Sequence, residues 1–202
     1  MFVMEFECLE IVKQDGRFKR SERSRQAIID AMIESMEKGC YIPTAQQVAD
    51  QAGISIRTVF RHFSEMELLY KEITEIQKPS YAKHFIDQDL TGSIKQRIDR
   101  LVDARIAGYL QIFHLEKATH ALLWRSAVIR HNYRNSQKLL RSLLFKMLPE
   151  LATKTSTTHE IADSLTSFEY FERLHTFQEL SIVECKDIMK SALNDLLATK
   201  KS

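Results

Sequence analysis

The segment TAQQVADQAGISIRTVFRHF (44–63) gathers the side chains whose chemistry is easiest to assign: Arg57, Thr58, Phe60, Arg61 and His62. An arginine can meet guanine with two parallel hydrogen bonds or hold a phosphate. A threonine can touch a thymine methyl or a phosphate, and a histidine can donate to either. Val59 and Phe63 recur at i, i+4, which on a helix makes a buried stripe and leaves those five side chains on or beside the opposite face. Two arginines, a histidine, a threonine and an aromatic on one short helix suit the major groove of duplex DNA, where base edges carry a distinct donor and acceptor code.

Such a helix needs a frame. Val48 and Ala49 give the preceding helix an inward face, and the small Ala49 lets the second helix cross closely. Gly53 supplies the left-handed backbone that a tight turn between them requires, Ile54 plugs the corner, and Ser55 caps the second helix. Thr44 and Gln47, three apart, form a capping box at the start of the first helix. Before this motif, Arg17, Lys19, Arg20, Arg23 and Arg25 face only Glu22 as a compensating charge within residues 16–25. That concentration of charge matters more than the formal net charge of +2.

The whole chain reads as all-α. Gly and Pro are scarce, five and three in 202 residues, whereas sheets with tight hairpins need more of both. Capping-box pairs recur at Thr44–Gln47, Ser64–Glu67, Ser93–Gln96, Thr157–Glu160 and Ser181–Glu184, each ahead of a helical apolar pattern. They predict helices over about 21–38, 45–52, 56–63, 65–77 and 94–113. A helical stretch over 115–147 is expected to bend or break near His131–Asn135, and two last helices cover about 158–178 and 182–198. That makes about nine helices. Pro79 predicts a break between a head and a body, Pro149 an end, and TKTSTT (153–158) a polar linker. The expected domains are an extension and basic arm over 1–20, a three-helix helix-turn-helix head over 21–78, and a larger helical domain over 79–202.

Several function classes find no support. No Gly-rich phosphate loop, GxSxG elbow, HExxH motif or paired carboxylates around an evident cleft occur, so no catalytic residue is assigned and an all-α enzyme is a remote alternative. Cys8, Cys40 and Cys185 are odd in number and widely spaced, and His114 and His120 are six apart. Reduced thiols are expected, without a metal site or cofactor. No run of about 18 apolar residues suggests a membrane span, and the start lacks the order of a secretory signal. A cytoplasmic protein is expected.

RSERSRQAIIDAM (20–32), Tyr41, the 44–63 segment and MELLYKEI (66–73) together resemble the TetR family of regulators, over about the first 75 residues. The resemblance implies a homodimeric transcriptional repressor released from a palindromic operator by a small-molecule effector. Ser55, Arg57, Thr58, Phe60, Arg61 and His62 then face DNA, Thr44 and Gln47 meet phosphates, and Arg20, Arg23 and Arg25 belong to a basic arm. The chain departs from many members at Met66, where Lys is common, and at Arg57, where Gly is common. A DNA-binding architectural protein without an effector has the same head and is the alternative.

The resemblance also implies an effector pocket in the body and dimerisation through the last two long helices. Arg105, Tyr109, Phe113, His120, Trp124 and His131 are the pocket candidates, with His114, Arg130 and Tyr133 beside them. Ile161, Leu165 and Phe168, with Ile182, Cys185, Met189, Leu193 and Leu196, are the candidate dimer interface.

Overall fold

The computed structural model describes the backbone of residues 3–198 and the side chains of residues 16–198. Cys8 and the side chains of 1–15 in the expected arm lie outside the described side chains. Among the described residues there are ten α-helices and no strand. The chain divides into two units, Met1–Ile76 and Gln77–Ser202.

The first unit holds α1 (Val3–Glu37), α2 (Ala45–Ala52), α3 (Ile56–His62) and the start of α4 (Met66–Ile86). Its core is Ile28, Ile29, Met32 and Met36 from α1, Val48 and Ala49 from α2, Val59 from α3, and Leu69 and Ile73 from α4. α1 starts far upstream of the expected Ser21. No proline or competing cap interrupts residues 3–37, and the single Gly16 costs only about 1 kcal/mol against Ala. The basic segment of the expected arm is therefore helical.

α4 runs through Pro79, where a break was expected. A proline in a helix removes the N–H that would bond to the carbonyl four residues earlier, that of Glu75. Pro79 is exposed, and the helix continues through it to Ile86.

The second unit contains α5 (Ile94–Gln111), α6 (Phe113–Leu123), α7 (Ala127–Met147), a 3-10 turn (Pro149–Thr153), α8 (Ser156–Leu165), α9 (Phe168–Glu172), a π turn (Arg173–Phe177) and α10 (Ile182–Leu197). The break expected near His131–Asn135 falls instead at Trp124–Ser126. Ser126 accepts from the Ile129 N–H, and Arg130 donates to the Leu123 carbonyl at 2.6 Å, so both helix ends are satisfied there. The expected single helix over 158–178 is divided because Ser167 recaps the chain as α9. The boxes at Thr44, Ser93 and Ser181 close as expected. The box at Thr157 does not form, since Thr155 caps α8 by accepting from the Thr158 N–H. α4 opens at Met66, which makes Glu67 its second residue rather than the third that a box with Ser64 needs.

The body core runs from Ile98, Leu101, Val102 and Tyr109 on α5 to Cys185, Met189, Leu193 and Leu197 on α10. The rings of Phe168 and Phe171 fill the space between. Asp103 on α5 holds Lys186 at 3.1 Å and Lys190 at 3.0 Å on α10.

Candidate nucleic-acid interface and the interior of the body

Gly53 ends α2 at φ 65° and ψ 32°, with its N–H on the Asp50 carbonyl at 3.2 Å and the Ile54 N–H on the Ala49 carbonyl at 3.0 Å. These two bonds close a Schellman motif and turn the chain sharply. Ser55 then accepts from the Thr58 N–H at 3.2 Å and starts α3. Val59 is fully buried and Phe63 nearly so, which fixes the roll of α3 about its axis. Arg57, Phe60 and Arg61 stand outward, with Ser55 exposed and Thr58 half-buried.

Ile56 was not singled out from the sequence, where an isoleucine in a helical segment reads as core. It is 38% exposed beside Phe60 at 47%, so α3 offers two apolar side chains among its arginines. The signal was its position, i−4 from the outward Phe60 and i−3 from the buried Val59. Thr44 and Gln47 are exposed at the start of α2 and bond each other: Thr44 N–H donates to Gln47 Oε1 at 2.8 Å, and Gln47 N–H to Thr44 Oγ1 at 3.2 Å.

Of the expected DNA-facing set, Arg25 is paired within the head and His62 is half-buried. Arg25 donates two hydrogen bonds to the Glu72 carboxylate on α4, and its guanidinium lies 5.2 Å from the Phe63 ring centre. It ties α1 to α4 and to the last residue of the helix-turn-helix, a bidentate arrangement that uses up the face an arginine offers a phosphate. His62 is half-buried with Nε2 sealed and unpartnered. Burial, then the Arg61 and Arg25 charges, holds its imidazole pKa below the ordinary histidine range. Arg20 and Arg23 are exposed on α1.

In the body, four of the six pocket candidates come together and two do not. Tyr109 is buried and donates to the Thr166 carbonyl at 2.8 Å, and burial pushes its hydroxyl pKa up to about 12. Arg105 is buried too, donating to the Leu140 carbonyl at 2.6 Å with its guanidinium 5.7 Å from the Phe85 ring. Phe113 and His120 each lie 5.5 Å from the Phe168 ring. Trp124, by contrast, is 77% exposed at the end of α6, and His131 is exposed and bonded to Asn135 on its own helix. Neither lines the interior. The turn at 124–126 rotates Trp124 away from the apolar stripe of α6 that ends at Leu122.

The candidate dimer residues separate in the same way. Phe168, Cys185, Met189 and Leu193 are buried inside their own subunit, and Leu165, Ile182 and Leu196 pack against that core. A side chain buried within one chain has no surface left for another, so these four are core residues. Ile161 is 42% exposed on α8, over an open groove shared with Leu165 and Tyr170. Val183 and Ile188 are exposed on α10.

A polar cluster occupies the space between α6, α7 and α9. Tyr133 donates to Glu169, and His120 Nε2 lies 3.1 Å from the Tyr133 hydroxyl and 3.5 Å from Glu169. Burial, and then the bond to Glu169, raises the Tyr133 pKa. Glu116 Oε2 is sealed and has no hydrogen-bond partner. Burial, with the Glu169 charge adding, pushes its carboxyl up to about 7. No local signal marks this pair, since 53 residues separate the two glutamates and the fold alone brings their charges within influence of each other. Among the described residues no group of three or more metal-ligating side chains exists, and no helix is long and apolar enough to cross a membrane.

No protein-family model matches the sequence, and no curated protein matches it. Solved structures match over most of the chain. A transcriptional regulator from Rhodococcus sp. Rha1 superposes with a TM-score of 0.64 at 16% identity, over 88% of this chain and 95% of that one. A TetR transcriptional regulator from Rhodococcus sp. RHA1 superposes with a TM-score of 0.52 at 20% identity, over 90% and 99%. The fold is that of TetR-type transcriptional regulators.

Proposed function

We propose that this protein is a sequence-specific DNA-binding transcriptional regulator, a homodimeric repressor released from a palindromic operator by a small molecule. The observation that carries the reading is the outward face of α3. Arg57, Arg61, Phe60 and Ile56 project from a helix whose opposite side is anchored by Val59 and Phe63, behind a turn locked by Gly53. Arginines for guanine or phosphate and apolar side chains for thymine methyls are the usual elements of major-groove reading. The exposed Arg20 and Arg23, and the α2 start at Thr44 and Gln47, supply backbone contacts that set register without reading sequence. Both structural neighbours are transcriptional regulators, which favours the same reading.

A two-fold partner follows from the task, since two heads one helical turn apart read a palindrome. The exposed Ile161, Val183 and Ile188 on α8 and α10 are the apolar residues available to that contact. Tyr109, Phe113 and His120, gathered around Phe168, and Arg105 beside Tyr109 are the residues offered to an effector. No resident cofactor and no catalytic role enters the reading.

Selection from random duplex DNA by the purified protein tests it. Enrichment of a two-fold-symmetric site, bound with a steep salt dependence, supports the reading. Salt-sensitive binding without enrichment favours an architectural protein, and no binding by ligand-free protein at low salt refutes both.

A further inference from the structure

Charge is unevenly spread along the body. Residues 117–149 carry seven of the 29 lysines and arginines and none of the 27 acidic residues, so elsewhere in the chain acids outnumber these cations. α7 lies within this acid-free run. Two of its cations are used inside the fold: Arg130 donates to the Leu123 carbonyl at 2.6 Å, and Arg141 pairs with Glu160 at 2.6 Å and Asp163 at 2.9 Å on α8. Arg125, Arg134, Lys138 and Lys146 are exposed, and none of their side chains has a partner among the described residues.

Large apolar side chains stand among these free cations. Ile129, Leu144 and Met147 are buried on one side of α7, and Val128, Leu139 and Lys146 are exposed on the other. Those three follow one another at about three and two helical turns, which sets them on one line about 27 Å long. Arg134 and Lys138, about one turn apart, make a second row on the exposed half of the helix. Trp124, the only tryptophan of the chain, leads into α7 beside Arg125 and is 77% exposed, a setting tryptophan seldom occupies.

Charge complementarity calls for an anionic partner, and the apolar side chains narrow the choice. A nucleic-acid backbone would satisfy the cations but leave Val128 and Leu139 in water. A bilayer containing anionic lipid takes both. Lysine and arginine pair with its headgroups, while aliphatic and indole side chains enter the boundary between headgroups and acyl chains, where tryptophan is enriched. Such attachment needs no helix that crosses the bilayer. We propose that the outer face of α7, with Trp124 at its start, docks on an anionic membrane surface. This is a second binding surface, and it does not depend on the DNA-reading face of α3.

Because the chain has one tryptophan, the emission of the full-length protein reports on Trp124 alone. Vesicles of phosphatidylglycerol are expected to shift that emission to the blue and shield it from acrylamide, an effect that fades as salt is raised. Vesicles of phosphatidylcholine are expected to leave it unchanged. Each cation at an anionic surface is worth about fivefold in affinity. Arg134→Gln combined with Lys138→Gln should therefore raise the lipid concentration needed for the shift at least about tenfold. Helical content and Tm should stay those of the parent, since both positions are exposed and unpaired. Arg20→Gln combined with Arg23→Gln, at exposed positions of α1, should keep the shift and so separate the α7 face from attraction of lipid to the head.

Protein that sediments with phosphatidylglycerol while Trp124 stays open to acrylamide overturns the proposal and assigns the attraction to another surface. Equal shifts on the two lipids overturn it as well, since the cations would then play no part. Trp124 already blue-shifted and shielded in the free protein would mark the face as covered by a second copy. A shift caused by duplex DNA but by no vesicle would mark it as a nucleic-acid contact. Either result refutes membrane docking.

Discussion

Arg25 distinguishes a structural from a DNA-binding arginine, and replacing it with methionine keeps the stem while removing the charge. The side chains of Arg25 and Glu72 are 37% and 22% exposed, so solvent screens their bidentate pair to about 1 kcal/mol. The guanidinium lies 5.2 Å from the Phe63 ring centre, which adds about 0.5–1 kcal/mol. Arg25→Met should therefore destabilise the fold by about 1–2 kcal/mol, or roughly 2–8 °C in Tm for a chain of this size. Thermal unfolding followed by circular dichroism measures the shift. Glu72→Gln should reproduce most of it, and the double variant should fall well short of the sum because the two act as one pair. In a salt series of DNA binding, Arg25→Met should keep the slope of the parent. The reasoning fails if Arg25→Met melts like the parent while its salt slope drops by about one phosphate contact.

Further outcomes follow from the same structure. Leu193→Ala, at a fully buried position of α10, should cost about 2–5 kcal/mol in chemical denaturation, as a core truncation does. Ile161→Glu, at an exposed position, should leave the helical content unchanged and shift light scattering toward monomer, and an unaltered dimer would remove Ile161 from the interface. The carboxyl of Glu116 is raised from 4.5 to about 7 in the folded protein. The folded state therefore holds that proton more tightly than the unfolded chain, and the associated stability is present below about pH 4.5 and lost as pH rises through about 7. Glu116→Gln should flatten this part of the pH–stability curve, read as the urea midpoint from pH 5 to 8. A curve unchanged by the substitution would assign the slope to another group.

The head was largely legible in the sequence because its signals are local. Thr44 with Gln47, Gly53 and Ser55 act within three or four residues of themselves, and each makes the bond its type and spacing imply. What local signals cannot carry is the identity of a partner. The stripe Cys185, Met189 and Leu193 shows that one face of α10 is covered, but it reads the same whether α5 of the same chain or a second subunit covers it. Arg25 likewise reads as one more basic residue until α4 brings Glu72 beside it. Pro79 did not break the chain: α4 continues through it with the proline on an exposed side of the helix. Trp124 failed as a pocket residue because the chain turns at Ser126, a position marked only by one capping serine. The Glu116–Glu169 pair was invisible for the plainest reason: the fold alone brings their charges within influence of each other.

The most direct measurement is the affinity of the parent, Arg57→Ala and Arg61→Ala for the selected operator and for a scrambled duplex, at several salt concentrations. Each substitution should weaken operator binding by about 1–3 kcal/mol where the arginine reads a base, with a smaller effect on the scrambled duplex. Unchanged operator affinity in both variants would contradict the assignment of the α3 face as the DNA-reading surface.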